Sequence, residues 1–208
     1  MKKNQILAIS LVSVAALMLP SGSVGSIVGT KHDLSSYGWG TDQTCKFCHT
    51  PHNAQSSQLA PLWSHASTVA TYNLYGENGS SPTFNATNTI SQPSGTSKAC
   101  LSCHDGTVAM DTFGTRTGTH KMGGTSNLGA DLRNDHPVSF TYDAALANTD
   151  GALVMPVSAG FVDAGRKIPL FNAKLECASC HNVHDNTNIP FLRKNNTGSA
   201  LCLSCHIK

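Results

Sequence analysis

The hydrophobic and polar positions of this chain show little regular periodicity. Apolar residues keep a helical spacing for no more than two or three turns, and strand-like runs occur at 138–142 and 153–157. The segments 72–98 and 114–135 are rich in Gly, Ser, Thr and Asn, a composition typical of loops. The pattern therefore predicts a mostly irregular fold, with short helices where local motifs require a turn.

The first 26 positions differ from the rest. Lys2 and Lys3 precede an apolar stretch at 6–19, which Pro20 ends, and small residues follow up to residue 26. This order is typical of a cleaved signal peptide. An uncleaved membrane anchor is the alternative, although the stretch is short for a bilayer span. We expect a secreted protein, extracellular or at the cell surface, with the periplasm as the alternative and no membrane span in the mature chain.

Composition bounds the remaining segment, 27–208, which we expect to form one domain with a thin side-chain core. Charged residues make up 12% of the chain and aromatic residues 6%, whereas an average soluble domain has about 25% charged residues. The formal charge of +2 falls to zero without Lys2 and Lys3, because the leader holds no acidic residue. Since the basic residues do not cluster, the sequence argues against a nucleic-acid partner.

All eight cysteines lie in four copies of the pentapeptide C-x-x-C-H. Its two thiols can form thioether bonds to one haem, and the following histidine can bind the haem iron. Disulfides, zinc sites and a redox dithiol are the alternatives, but none of them requires histidine after every second cysteine. We therefore predict four covalently bound haem c groups. The attachment residues are Cys45, Cys48, Cys100, Cys103, Cys177, Cys180, Cys202 and Cys205, and the proximal iron ligands are His49, His104, His181 and His206.

The other six of the ten histidines are enough to supply a second axial ligand to every iron. Outside the leader the methionines are Met110, Met122 and Met155, and a methionine ligand would raise the haem potential. We predict low-potential, six-coordinate, bis-histidine haems. A six-coordinate iron has no open position for a substrate, so we expect an electron carrier rather than an enzyme.

Two of the motifs extend to C-x-x-C-H-x-x-H, at 45–52 and 177–184. On a helical turn the second histidine would project from nearly the same side as the first. The two ligands of one iron approach from opposite faces of the porphyrin, so the second histidine either binds a different haem or lies at the surface. We expect a chain of stacked haems, two in 27–150 and two in 151–208, that fills the interior in place of a large core.

Several segments resemble a family of exported multihaem cytochromes from metal-reducing bacteria, and in particular its tetrahaem, filament-forming outer-surface members. These segments are 32–35, 45–53, 61–63, 100–109, 131–140, 176–185 and 201–206. The resemblance implies that the distal iron ligands are His32, His52, His136 and His184, with His52 reaching the terminal haem of a neighbouring subunit. His65 and His120 are then spare, with roles in packing, hydrogen bonding or contact with haem propionates.

The resemblance also implies a function. Members of this kind polymerise head to tail into conductive filaments that carry respiratory electrons to external acceptors such as metal oxides or other cells. The implied partners are copies of the same chain, redox partner cytochromes or an outer-membrane conduit, and those acceptors. A soluble periplasmic electron shuttle is the first alternative, and a multihaem reductase is the second.

Overall fold

The computed structural model describes residues 26–55, 59–77, 81, 84–86 and 89–208. Almost all of the expected signal peptide, 1–26, therefore lies outside the described residues. The helices are α1 (Gly95–His104), α2 (Ala144–Asp150) and α3 (Cys177–Cys180), and the strands are β1 (Asn73–Leu74), β2 (Asp131–Leu132), β3 (Phe140–Thr141) and β4 (Lys174–Leu175). Short 3₁₀ turns occur at Leu34–Tyr37, Thr44–Phe47, Gly124–Ser126, Thr197–Ser199 and Cys202–Ser204. The prediction of a mostly irregular fold with short helices is confirmed.

Every C-x-x-C-H motif begins on a helical turn. The second motif forms the last half of α1 and the third forms α3, while the first and fourth lie on the 3₁₀ turns Thr44–Phe47 and Cys202–Ser204. In three motifs the histidine N–H donates to the carbonyl of the first cysteine, at 2.8, 3.0 and 2.9 Å. These three pentapeptides are thereby each closed into one turn, and the second lies within the last turns of α1.

The strands pair in two small sheets. β1 lies parallel to β2 with Leu74 opposite Leu132, and β3 lies antiparallel to β4 with Phe140 opposite Leu175. The prediction of loop at 72–98 and 114–135 is wrong at β1 and β2, because two-residue strands give no periodic signal. The expected run at 138–142 contains β3.

The run at 153–157 forms no named strand. Its first residue, Leu153, makes an isolated bridge with His206 of the fourth motif. The neighbouring Val154 N–H donates to the Cys205 carbonyl at 2.7 Å, and the Ile207 N–H donates to the Ala152 carbonyl at 2.8 Å. The start of this segment is therefore hydrogen-bonded to the fourth motif, whereas the Val157 N–H donates to the Val162 carbonyl at 3.2 Å.

The main hydrophobic cluster joins both halves of the chain. It comprises Ala86, Phe140, Tyr142, Leu146, Val162, Ile168, Leu170 and Leu175, and partly buried Leu201 and Cys205 pack against it. Two smaller clusters lie around Leu101 and around Trp63. Because members come from both 27–150 and 151–208, the two segments share one core. Among the described residues, no helix is long and apolar enough to span a membrane.

Val162→Ala is expected to lower the free energy of unfolding by about 2 kcal/mol, because it removes two buried carbon atoms and leaves a cavity. Val162 is 0% exposed, whereas Val69 is 94% exposed. Val69→Ala makes the same change at the surface and should cost less than about 0.5 kcal/mol. Urea unfolding followed by circular dichroism measures both; equal losses would contradict a core at Val162.

Candidate functional site

None of the eight motif cysteines is joined in a disulfide. Within the described part of the chain, no group of three or more Cys, His, Asp or Glu side chains is arranged to hold a metal ion. The motif spacing predicts that the cysteine sulfurs form thioether bonds to haem.

The thiols of successive motifs lie near each other. Cys100 of the second motif forms a hydrogen bond with Cys177 of the third, and this bond together with burial raises the pKa of Cys100. Burial, and then the neighbouring Cys48 of the first motif, raises the pKa of Cys103 to about 12. Burial, and then Cys180 of the third motif, raises the pKa of Cys205 to about 12. The motifs therefore follow one another in space in the order in which they occur in the sequence.

Three pairs of imidazole rings have nearly the same separation. The ring centroids are 6.1 Å apart for His32 and His104, 6.2 Å for His49 and His184, and 6.4 Å for His136 and His206. Each pair joins a motif histidine to a histidine outside the pentapeptides. A metal–imidazole bond is about 2 Å long, and a ring nitrogen lies about 1 Å from the ring centre, so two imidazoles on one metal ion have centroids about 6 Å apart. The centroid separations of the three pairs match this value, and their ring planes cross at 73°, 24° and 73°.

Backbone carbonyls orient the motif histidines. The Nδ1–H of His49 donates to the carbonyl oxygen of Pro61 at 2.7 Å. The Nδ1–H of His181 donates to the carbonyl oxygen of Pro190 at 3.0 Å. The corresponding bonds of His104 to Ser126 and of His136 to Pro137 are 2.8 and 2.9 Å. A carbonyl oxygen only accepts, so the proton lies on Nδ1 and the Nε2 lone pair is free for a metal.

A lowered pKa favours the neutral, metal-binding form of three of the non-motif histidines. Burial, followed by the charges of His104, His181 and His184, lowers the pKa of His32 to about 4. Partial desolvation also lowers the pKa of His136 and of His184, although both residues are exposed in this chain. The Nδ1 atom of His32 is buried and has no hydrogen-bond partner among the described residues.

The expectation of a helical turn between the two histidines of each extended motif is wrong. α3 ends at Cys180, and His181 is already extended, with φ −111° and ψ 145°. The backbone of His181 instead bridges to Leu192, and that of His49 bridges to Trp63. These bridges pull the chain out of the helix, and His184 lies beside His49 of the first motif rather than on one helical face with His181.

Two of the predicted iron ligands are not paired with another imidazole. In the described part of the chain, neither His52 nor His181 has its ring paired with another histidine. His52 is exposed, and His181 has its Nδ1 bonded to the Pro190 carbonyl. One motif histidine and one non-motif histidine of the predicted ligand set therefore lack a partner within this chain.

The two spare histidines have other contacts. His65 is 1% exposed, and its Nδ1 and Nε2 lie 2.7 Å from the Ala66 carbonyl oxygen and 3.0 Å from the Ala109 carbonyl oxygen. His120 has Nδ1 3.0 Å from the Asp111 carboxylate, and its ring stacks on Trp39 at 4.4 Å. Both nitrogens of His65 thus lie against carbonyl oxygens, of which a neutral imidazole can donate to one, and its Nε2 also lies 3.4 Å from the Cys103 sulfur. His120 is held at the surface by a buried acid.

Sequence reasoning missed the groups that orient the imidazoles. These are the carbonyl oxygens of Pro61, Ser126, Pro137 and Pro190. Every residue has a backbone carbonyl, so no residue type marks these positions. Their role follows only from the path of the loops in space.

Comparison with known proteins places the third and fourth motifs in a recognised pattern. Residues 170–208 match the family model described as Doubled CXXCH motif. No curated protein matches the chain at a significant level. The match points to a multihaem c-type cytochrome with covalently bound haem c and an electron-transfer role, a class of protein that is typically exported.

Asp111→Asn is expected to destabilise the protein at neutral pH, by roughly 1–2 kcal/mol. Asp111 is 0% exposed; burial raises its pKa, but bonds from His120 and Arg116 outweigh this and lower it to about 2, against 3.8 unperturbed. Because the folded pKa is the lower one, this stability is present above the unperturbed pKa and is lost as the pH falls towards 2.

Unfolding of wild type and variant between pH 7 and pH 2 measures this difference. Asp42→Asn, at an exposed carboxylate, is the control and should differ little from wild type at any pH. A stability gap between wild type and Asp111→Asn that widens on acidification would contradict the assignment.

Proposed function

We propose that this chain is a tetrahaem electron-transfer cytochrome whose four irons each bind two histidines. The observation that carries the proposal is the set of imidazole pairs with centroids 6.1, 6.2 and 6.4 Å apart. These assign His32 to the iron of His104, His184 to the iron of His49, and His136 to the iron of His206. The cysteines of each motif hold the corresponding haem through two thioether bonds.

The fourth iron, on His181, takes its second ligand from another copy of the chain. His181 has its Nδ1 proton committed to Pro190, which leaves Nε2 free for iron. His52 is an exposed member of the predicted ligand set, and among the described residues its ring is not paired with another histidine. We assign His52 of a second copy to this iron. The resemblance implied that His52 reaches the terminal haem of a neighbouring subunit. Because His136 lies beside His206 of the terminal motif, we assign His52 to the haem of the third motif instead.

Such a contact joins chains head to tail. The donor, His52, and the acceptor site at His181 are different parts of the surface, so the interface is heterologous. Repetition of a heterologous contact that does not close into a ring gives an open filament. The low content of charged residues, 12%, gives little repulsion against this assembly.

Haem iron supplies one-electron chemistry between the ferric and ferrous states. The residues of this chain would hold the haems at fixed positions. The paired imidazoles would hold each iron and keep other ligands away from it, the carbonyls fix ring orientation, and the adjoining sulfurs of Cys100 and Cys177 keep neighbouring sites close. The sequential order of the motifs in space provides a continuous track for electrons.

We place this track outside the cell, where it carries respiratory electrons to external acceptors such as metal oxides or other cells. Redox partner cytochromes or an outer-membrane conduit deliver the electrons. A soluble periplasmic shuttle is the second candidate, and it is favoured by the three imidazole pairs that close within one chain. A reductase is less well supported, because paired imidazoles leave no open position on the iron.

His136→Ala is expected to open one axial position on the iron of His206, and His32→Ala and His184→Ala should do the same at the irons of His104 and His49. The reduced variants should then bind carbon monoxide at one haem per chain, while reduced wild type binds none. Absorption spectra with and without carbon monoxide measure this.

His120→Ala serves as the control, because His120 is bonded to Asp111 and stacked on Trp39. It should bind no carbon monoxide. Carbon monoxide binding by His120→Ala, or its absence in His136→Ala, would contradict the ligand assignment.

His52→Ala is expected to remove the ligand that one chain gives to the next. The variant should sediment as single chains that bind carbon monoxide at one haem, whereas wild type and His120→Ala sediment as long polymers. Analytical ultracentrifugation and electron microscopy measure the size. Polymers of wild-type length with all four haems six-coordinate in His52→Ala would defeat the assignment.

A further inference from the structure

Three acidic side chains are buried in the described part of the chain, and two of them have partners that stabilise a negative charge. Asp105 accepts hydrogen bonds from the hydroxyls of Thr68 and Tyr72 at 2.5 and 2.6 Å. Asp111 lies 3.0 Å from the ring of His120 and has Arg116 nearby. These bonds outweigh burial and lower the pKa of both acids. Asp105 and Asp111 therefore stay ionised.

Glu176, the third acid, is 3% exposed and lies between the second and third motifs. Its Oε2 accepts a hydrogen bond from the Ser139 hydroxyl at 2.8 Å and another from the Ser97 hydroxyl. Ser97, in the first turn of α1, also accepts the backbone N–H of Cys177 at 2.9 Å. The carboxyl group thus sits in the contact between α1 and α3, where the thiols of Cys100 and Cys177 meet.

The surroundings of Glu176 are nearly free of charge. Ser97 on α1 and Ser139 beside β3 are neutral and buried, and Cys177 ceases to titrate once it forms a thioether. Lys174 on β4 is the charged side chain that acts on Glu176, and its Nζ donates to the Ser91 hydroxyl at 3.2 Å. Burial raises the pKa of Glu176, and the hydroxyls and Lys174 oppose this only in part.

The hydroxyl partners of Glu176 suit both of its protonation states. A serine hydroxyl can donate to a carboxylate, and it can also accept from a protonated carboxyl group. The bonds from the Ser97 and Ser139 hydroxyls can therefore persist when the acid gains a proton, while the backbone N–H groups of Ser97 and Ser179 only donate to it. Asp111 differs in that it has no hydroxyl partner of this kind and is bonded to the charged or chargeable side chains of Arg116 and His120.

We propose that Glu176 is a redox-linked proton site, which binds a proton from solvent when the haems on the second and third motifs are reduced. The proposal rests on the proposed function, because it needs haems at Cys100 and Cys177. One electron from an added reductant such as dithionite converts one ferric iron to ferrous and adds one negative charge beside Glu176. The carboxylate then binds one proton and becomes neutral, so the added charge is balanced locally.

Linkage makes this coupling reciprocal. If reduction favours protonation of Glu176, then protonation of Glu176 favours reduction by the same factor. The midpoint potentials of the adjacent haems should fall as the pH rises through the range in which Glu176 titrates. A tenfold difference in proton affinity between the reduced and oxidised protein corresponds to a shift of 59 mV for one electron.

The test uses the full-length, haem-loaded protein. Proton uptake on reduction with dithionite is measured in weakly buffered solution at several pH values, and midpoint potentials are measured by spectroelectrochemistry at the same pH values. Glu176→Gln keeps the size and hydrogen-bonding capacity of the side chain but cannot titrate. We expect it to lose a fraction of one proton per chain in uptake and to flatten the pH dependence of two haems.

Asp111→Asn is the matched control, because it neutralises a buried acid that lies against His120 and Arg116 rather than beside a proposed iron ligand; its uptake should match wild type. Ser97→Ala keeps Glu176 but removes one donor to its carboxylate, so half-maximal uptake should move to higher pH even if Glu176→Gln folds poorly. Wild-type uptake by a Glu176→Gln protein with four intact haems would overturn the proton site and leave the proposed function standing. A wild-type protein without four haems would instead overturn the proposed function.

Discussion

Two imidazole rings that hold one metal ion must lie about 6 Å apart, and this distance governs how the chain is folded. An iron held by two histidines would need one ring on each side of it at that distance. The paired rings have this separation although they are as far apart in sequence as His32 and His104, or His49 and His184. Long segments must therefore be folded accurately without much regular structure.

Local hydrogen bonds provide that accuracy. Each C-x-x-C-H pentapeptide closes on itself through one backbone bond, and the carbonyls of Pro61, Pro190 and Ser126 fix the rings that project from it. The main hydrophobic cluster links both halves of the chain, but it is small for a chain of 208 residues. We infer that covalently held haems complete the interior, so that loss of haem leaves the chain unfolded.

Sequence reasoning succeeded where a short spacing fixes the chemistry. The motif cysteines and the helical turns that carry them follow from C-x-x-C-H alone, and the family match at 170–208 agrees with a multihaem cytochrome. It failed where the three-dimensional path of the chain determines the local structure. The turn expected between His181 and His184 is broken by the bridge from His181 to Leu192, and the strands at 73–74 and 131–132 are too short to give a periodic signal.

The ring partners could not be deduced from spacing, because they depend on loops that bring distant residues together. Spacing alone does not separate the buried His65 from the proposed ligand histidines; the family resemblance leaves it spare, and both of its nitrogens lie against carbonyl oxygens. A density map of the purified protein that resolves both axial ligands of every iron tests the account most directly. We expect the map to show three irons held by the histidine pairs His32 and His104, His49 and His184, and His136 and His206, each pair within one chain. A map in which any of these irons binds His65, His120 or a methionine would contradict it.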